Sequence, residues 1–297
     1  MLGTIGLFLR SIDNDYQRRL KEVGLREAKN HGFDIVVESA QFDASRQVAQ
    51  IREAIKTAAA TNLAAILVSG VHDDELAPVA HEAADAGLEW ALLNEGAFID
   101  EVRAQHPNRA VFAVTCDQIE IGRIHAQQVT TLVGAAGRIL CVTGHLRNLS
   151  ALQRLDGLKQ TLDNKFDLVE LNADWTAEGA RMAVERWVSG ITAQEDLPVM
   201  FVAHNDEMAL GVRQALRDFD CQTNLPVGGS PITGCDGSLT FGQRLVREGR
   251  LKATVINPPA SGVAIEWIAR ARKNGEIPPV RVLLPVTSFP ALPSLKP

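Results

Sequence analysis

Short apolar runs alternate with longer amphipathic stretches along almost the whole chain. Residues 3–9, 34–38, 64–68, 90–93 and 110–115 read as buried strands, and the segments 16–31, 44–60 and 73–86 read as helices. The segment that begins at Ala44 places Val48, Ile51 and Ile55 on one stripe, as a helix covering a sheet requires. The rhythm then restarts with a helix over 118–133. Strands at 138–142, 168–172, 199–203, 232–235, 252–256 and 281–287 follow, alternating with helices over 149–162, 176–190, from about 206, over 239–248 and over 260–274. This βαβα order predicts an α/β fold with parallel sheets, helices on both faces and right-handed crossovers. At 297 residues, two βα halves of similar size fit better than one very wide sheet, because single cores stop growing near this length. The Gly- and Pro-containing stretch 226–231 reads as a loop rather than a linker.

The most informative segment is His204-Asn205-Asp206-Glu207-Met208-Ala209-Leu210-Gly211, which follows the apolar run 197–203 and opens a periodic helix. Met208, Val212, Ala215, Leu216 and Phe219 recur on one face of that helix. A polar cluster is thereby placed just past the carboxyl end of a buried strand, where open α/β sheets hold ligands. Similar clusters recur wherever strands end. They are Ser11-Ile12-Asp13-Asn14-Asp15-Tyr16, Asn94-Glu95-Gly96, Cys116-Asp117-Gln118, Gly144-His145, Asn172-Ala173-Asp174-Trp175, Asp236-Gly237 and Asn257. Each alone is explained by a helix cap or a turn. Asp236 has two readings, an N-cap for a helix starting near Leu239 or a ligand contact; Trp175 is a hydrophobic staple or an aromatic platform. Arg154, inside a helix, reads as a surface charge or a helix-to-helix contact. Together, amides, carboxylates and aromatic faces suit a neutral polyhydroxylated ligand, since a carboxylate accepts from neighbouring hydroxyls and an amide both donates and accepts.

Composition narrows the classes. Hydrophobic residues at 46% and charged residues at 22% are those of a globular chain, and a net charge of −6 argues against a nucleic-acid partner. No run of eighteen apolar residues is present, so no spanning helix is expected. The cysteines at 116, 141, 221 and 235 lack CxxC spacing and predict neither a metal knuckle nor a disulfide framework. No GxSxG elbow, P-loop or HExxH occurs, and the acidic residues after His72 are those the macrodipole favours at a helix start. A binding protein is therefore expected rather than an enzyme, without cofactor or metal. Met1-Leu2 leads straight into the first strand with no basic n-region and no cleavage site. Two expectations follow, a cytoplasmic chain or one that begins near its mature end.

These residues resemble the type I periplasmic sugar-binding proteins of the ribose-binding kind, and the chain is also similar to lac-repressor-type effector domains. The resemblance covers nearly the whole chain. It rests on residues 201–211, on Gly234-Cys235-Asp236-Gly237, on residues 249–255 and on the strand and loop at 3–16. It implies two Rossmann-like lobes, residues 1–115 with 257–286 and residues 116–256 with 287–297, joined by three crossovers and closing on a ligand held between them. It further implies ligand contacts from Asn14 and Tyr16 in the first loop, from Trp175 as a stacking aromatic, and from Asn205 and Asp236 as the amide and carboxylate for hydroxyls. Asn94 stands where the family usually has Asp, Glu95 where Arg commonly follows, and Asn257 where Gln is frequent. An arginine expected near the start of the 149–162 helix is replaced by Leu152, with Arg154 two residues on. Asp13, His145 and Arg154 are further candidates. Losing both arginines argues against ribose itself and leaves another sugar or polyol. The implied role is the solute-binding component of an ABC transporter, a periplasmic monomer that hands its ligand to a membrane permease or a chemoreceptor. The alternative is a ligand-sensing domain of a regulatory or signalling protein, whose DNA-binding form would need a helix-turn-helix ahead of residue 3.

Overall fold

Parallel pairing organises the chain into two six-stranded sheets, seen in a computed structural model that describes residues 2–94, 96–191, 197–222 and 229–296. Glu95 and residues 226–228 of the expected 226–231 loop lie outside the described residues. The chain first gives β1 (Thr4–Leu9), α1 (Asp15–His31), β2 (Asp34–Ser39), α2 (Ala44–Lys56), α3 (Ala58–Thr61), β3 (Leu63–Val68), α4 (Ala77–Asp85), β4 (Glu89–Leu92), α5 (Ile99–Gln105) and β5 (Val111–Cys116). Next come α6 (Gln118–Leu132), β6 (Gly137–Thr143), α7 (Leu149–Thr161), β7 (Phe166–Asn172), α8 (Ala177–Val188), β8 (Met200–Ala203), α9 (Asp206–Gln222), β9 (Ile232–Asp236), α10 (Gly242–Arg247) and β10 (Ala253–Ile256). The chain ends with α11 (Ser261–Asn274), β11 (Arg281–Leu284) and β12 (Thr287–Phe289).

Two compact units result. Met1–Cys116 and Pro259–Leu284 form the first, and Asp117–Pro258 and Pro285–Pro297 form the second. The first unit's sheet has the order β2-β1-β3-β4-β5-β11 and is parallel throughout. The second has β7-β6-β8-β9-β10-β12, parallel except for β12, which runs antiparallel to β10. In each unit the first strand lies between the second and the third, which creates a switch point in the strand order. Ligands of such sheets collect there, at the carboxyl ends.

Both units are three-layered because both faces of each sheet are apolar. In β1, Ile5, Leu7 and Leu9 pack towards α1 and α11, whereas Phe8 packs towards α2 and α4. In the second unit, α8 and α9 cover one face with Val184, Met208, Val212 and Leu216, and α6 and α7 cover the other with Val129, Leu155 and Leu158. The α6–α7 contact is close enough to need glycine from both helices. A Cβ on Gly122 would stand 2.1 Å from the Arg154 carbonyl oxygen, and one on Gly157 would stand 2.1 Å from that of Ile119.

Several expected boundaries shift. The helix expected over 44–60 breaks at Thr57, whose hydroxyl bonds back to the Glu53 carbonyl. The segment expected as a helix over 73–86 begins as a 3-10 turn, Asp73–Glu75, before α4 starts. The α5 helix has no counterpart in the sequence reading; it is seven residues long, too short to repeat a stripe, and only Ile99 and Val102 are buried. The last strand, expected over 281–287, is two strands in different units. Pro285 follows β11, and its missing N–H cannot continue the ladder.

Candidate functional site

The carboxyl end of β8 is the best-organised corner of the second unit. Asn205 accepts from the Met208 backbone N–H through Oδ1 at 2.7 Å, which caps α9, and donates through Nδ2 to the Trp175 carbonyl at 3.0 Å. Asp206, also buried, accepts from the Gly237 N–H at 2.8 Å and from the Thr254 hydroxyl at 2.7 Å. Room for this carboxylate comes from Gly234 and Gly242, where a Cβ would stand 2.2 and 2.0 Å from its oxygens. One side chain thereby ties the ends of β8, β9 and β10 together. The sequence places Asp206 in the strand-end polar cluster, where it could also cap the helix, but does not show this tie between strands.

The loop that Asp206 holds carries Asp236. This residue has φ +96°, a conformation that side chains rarely adopt, and Gly237 beside it has φ +55°. Asp236 Oδ1 accepts from Asn257 Nδ2 at 3.1 Å, and the Asn257 N–H donates to the Asp236 carbonyl at 3.2 Å. Asn257 Oδ1 is buried and has no partner. The capping alternative for Asp236 does not hold, because α10 begins at Gly242 and it is Ser238 Oγ that accepts from the Phe241 N–H.

Trp175 also has a positive φ, +70°, and precedes Thr176, which caps α8 by accepting from the Gly179 N–H. Its ring lies over Gly144, where a Cβ would come within 2.2 Å of the indole, and it belongs to the unit's core with 8% exposure. Trp175 is thus a packed core side chain directly ahead of the α8 cap. Arg154 is 5% exposed, which excludes the surface-charge reading. Its Nε donates to Gln118 Oε1 on α6 at 2.7 Å, Nη1 donates to the His204 carbonyl, and the guanidinium stands 5.5 Å from the Trp175 ring centroid. A helix-to-helix contact is therefore part of its role, and the α6–α7 glycines allow it.

Arg154 governs the chemistry behind the site. Burial, and then the nearby guanidinium, push His204 well below the ordinary histidine value, and the same two causes push His125 down to about 3. Both rings are therefore neutral at physiological pH. His204 Nδ1 accepts from the Gly144 N–H at 3.2 Å, which assigns its proton to Nε2, facing Cys141 Sγ at 3.7 Å. Burial raises the Cys141 thiol to about 12, so it is inert as a nucleophile. Asn148, at the start of α7, escaped the sequence reading. It is 1% exposed, makes no side-chain cap, and neither its amide nitrogen nor its amide oxygen has a partner. No sequence signal marks it, since an asparagine before a helix reads as an ordinary cap. His145, three residues earlier and half-buried, accepts from the Arg147 N–H at 3.2 Å.

The first unit builds its corner around the residues that follow β3. Ser69 Oγ accepts from Arg10 Nε at 3.3 Å and from Gln17 Nε2 at 3.0 Å, and Gln47 bonds both the Ser69 carbonyl and the Val71 N–H. Asn94 Oδ1 accepts from the Gly70 N–H at 3.1 Å. Asn14 caps α1 by accepting from the Gln17 N–H at 2.9 Å. Asn14 and Asn94 are thereby linked through Gln17 and Ser69–Gly70, although they share no direct bond. Tyr16 is half-buried against the α1 side of the core. Asp13 is exposed and accepts from Ser11 Oγ. Arg10, Gln47 and Ser69 were missed; a charged residue directly after an apolar strand was the available signal for Arg10. Among the described residues no group of three His, Cys, Asp or Glu is placed to hold a metal ion.

In both units, then, buried amides follow parallel strands near the switch point, joined in the second unit by the carboxylates of Asp206 and Asp236. The profile of the periplasmic binding protein domain matches residues 5–276. The chain belongs to the periplasmic binding protein family. Among members of that family, a xylitol-binding protein of Mycolicibacterium smegmatis is 27% identical over 225 residues, 75% of this chain. The match spans 58% of that relative's own length. A solute-binding protein from Bacillus halodurans C-125, solved with bound myo-inositol, has a TM-score of 0.81 at 22% identity and covers 97% of this chain and 94% of its own. A fructose-binding periplasmic domain of a hybrid two-component system also has a TM-score of 0.81, at 20% identity over 96% of this chain and 90% of its own. The two-lobed α/β fold with mostly parallel sheets is that of the periplasmic binding proteins.

Proposed function

We propose that this periplasmic binding protein takes up a small neutral polyhydroxylated solute, a monosaccharide or related polyol, as the solute-binding component of an ABC transporter. The observation that carries the reading is the Asp236–Asn257 pair. A buried carboxylate is held in a left-handed conformation by its neighbours, next to an amide oxygen that has no protein donor. A hydroxyl group of a polyol supplies the donor that the Asn257 oxygen lacks, and a buried acceptor left unbonded costs about 1–3 kcal/mol. Trp175, Asn205 and Asn148 in the second unit, and Asn14, Tyr16 and Asn94 in the first, are assigned to the same ligand. Glu95, Asp13, His145 and Arg154 are assigned supporting contacts. The xylitol-binding relative supports the polyol class.

Closure is assigned to the three segments where the chain passes between units, residues 114–117, 256–258 and 285–287. The protein acts in the periplasm as a monomer, delivers its ligand to a membrane permease or a chemoreceptor, binds no nucleic acid and catalyses no reaction. The likeness to a sensor's fructose-binding domain supports a second reading, a ligand-sensing domain in a signalling chain.

Calorimetric titration with pentoses, hexoses, xylitol and inositols tests the reading, using protein unfolded and refolded to remove carried-over ligand. Saturable heat with at least one of them, lost in Asp236→Ala, is expected. No heat with any, or undiminished heat in the variant, refutes it. Product analysis of the same samples tests the absence of catalysis.

A further inference from the structure

A cavity of about 290 Å³ opens on the first unit, on the face of its sheet that α2 covers. Its floor is Gly6 and Phe8 of β1, Val36 of β2 and Leu63 of β3; its walls carry Glu38, Gln50 and Glu53. The space is open to solvent because β2, the edge strand, turns Val36 outward at 54% exposure, while the Phe8 ring lies over Gly6. At this volume it lies at the lower limit of small-molecule sites, roughly 300–1,000 Å³.

The polar groups around the cavity are unbalanced. Every hydroxyl there is already committed as a donor: Thr4 to the Thr61 carbonyl, Thr57 to that of Glu53 and Thr61 to that of Thr57. Gln50 Nε2 is committed as well, to Glu38 Oε2 and the Ser39 carbonyl, both at 3.2 Å. Two acceptors fix the nitrogen on that side of the amide, so Gln50 Oε1 is the atom left buried with no partner. What remains open to the groove is a pair of acceptors, the Glu38 and Glu53 carboxylates, above an apolar floor, with the Gln50 oxygen enclosed behind them. Lys56 reaches Glu53 at 3.8 Å, but both side chains are largely exposed, and such a pair exchanges at little cost.

From this imbalance we infer that the groove binds the primary ammonium group of an aliphatic amine, with the hydrocarbon on Phe8, Val36 and Leu63 and the ammonium between Glu38 and Glu53. An ammonium has three donors and no acceptor, the complement of the groups left open, and its chain needs no polar partner. The site is built entirely from the first unit and is independent of the polyol groups at the strand ends.

Hexylammonium chloride is the probe, with 1-hexanol as the uncharged control, followed by amide NMR shifts of the full chain. Saturable shifts confined to β1, β2 and α2 are expected with hexylammonium, and hexanol should bind at least about fivefold more weakly. Glu38→Gln and Glu53→Gln should each weaken the amine about threefold to fivefold, and a tenfold rise in salt should do likewise. Ala54→Leu, which fills the groove from α2 without altering charge, should abolish the shifts while polyol binding is retained. Equal affinity for hexanol, unchanged affinity in both glutamine variants, or no saturable shifts would overturn the inference.

Discussion

Replacing Asp206 by alanine removes the one side chain that joins three strand ends. The carboxylate accepts from the Gly237 N–H and the Thr254 hydroxyl, both buried, at 2.8 and 2.7 Å. Hydrogen bonds to a carboxylate contribute roughly 1.5–3 kcal/mol each, and the donors left behind remain out of reach of water. Asp206→Ala should therefore cost about 3–5 kcal/mol in urea unfolding followed by circular dichroism. Asp206→Asn keeps one acceptor but turns an amide N–H towards a donor, and should cost about 2 kcal/mol. The glycine data supply an internal control. Gly234→Ala places a Cβ 2.2 Å from Asp206 Oδ1 and should be costly alone, but with the carboxylate gone the nearest Asp206 atom is Cα at 3.1 Å. The two changes combined should be less destabilising than their sum by about 1 kcal/mol or more. A loss below about 1 kcal/mol for Asp206→Ala, or strict additivity with Gly234→Ala, would refute the clamp.

Asp236→Gly should leave the ligand-free protein as stable as the parent or up to about 1–2 kcal/mol more stable, because glycine relieves the strain at φ +96°, while polyol binding disappears; retained binding would show that the carboxylate is not a contact. His125 and His204 are held neutral in the fold, so protons favour the unfolded chain. Their stabilising effect is complete above about pH 6.5 and is lost as pH falls below it, for His125 progressively down to about 3, by about 1.4 kcal/mol per pH unit for each ring that stays unprotonated in the fold. His125→Gln should flatten that slope by one proton in urea titrations across the range, and an unchanged slope would refute the assignment. Gly157→Ala drives a Cβ into the Ile119 carbonyl and should destabilise by about 1–3 kcal/mol or more while also lowering polyol affinity through Arg154; a silent substitution would mean that α6 and α7 are free to separate.

Nearly all the strands and the alternation of helices were legible from periodicity, because apolar runs of four to seven residues bounded by polar turns leave little choice of element. Periodicity alone did not divide 281–287, which is one extended stretch; the family resemblance put a lobe boundary after residue 286, and strand pairing shows β11 and β12 on either side of Pro285. At the strand ends, residue types were legible and orientations were not. Asn14 and Asn205 act as caps, as any asparagine before a helix suggests, and nothing in the spacing shows that Asn205 also bonds the Trp175 carbonyl. For Arg154 the sequence left a surface charge and a helix-to-helix contact both open, because its burial beside glycines on two different helices follows from no local pattern.

The return of the chain to its first unit has a consequence for biosynthesis. The outer edge of β5 is paired by β11, and the α1 face of the sheet is covered by α11, where Ser261 Oγ bonds the Leu20 carbonyl. A nascent chain emerging from the ribosome has made β1 to β5 long before these partners exist. Until residue 284 has emerged, an apolar face and a bare strand edge stay open to solvent, and to other chains. The early part of the polypeptide is thus kept incomplete for most of its synthesis, which delays its folding and leaves it in a state that holding chaperones recognise.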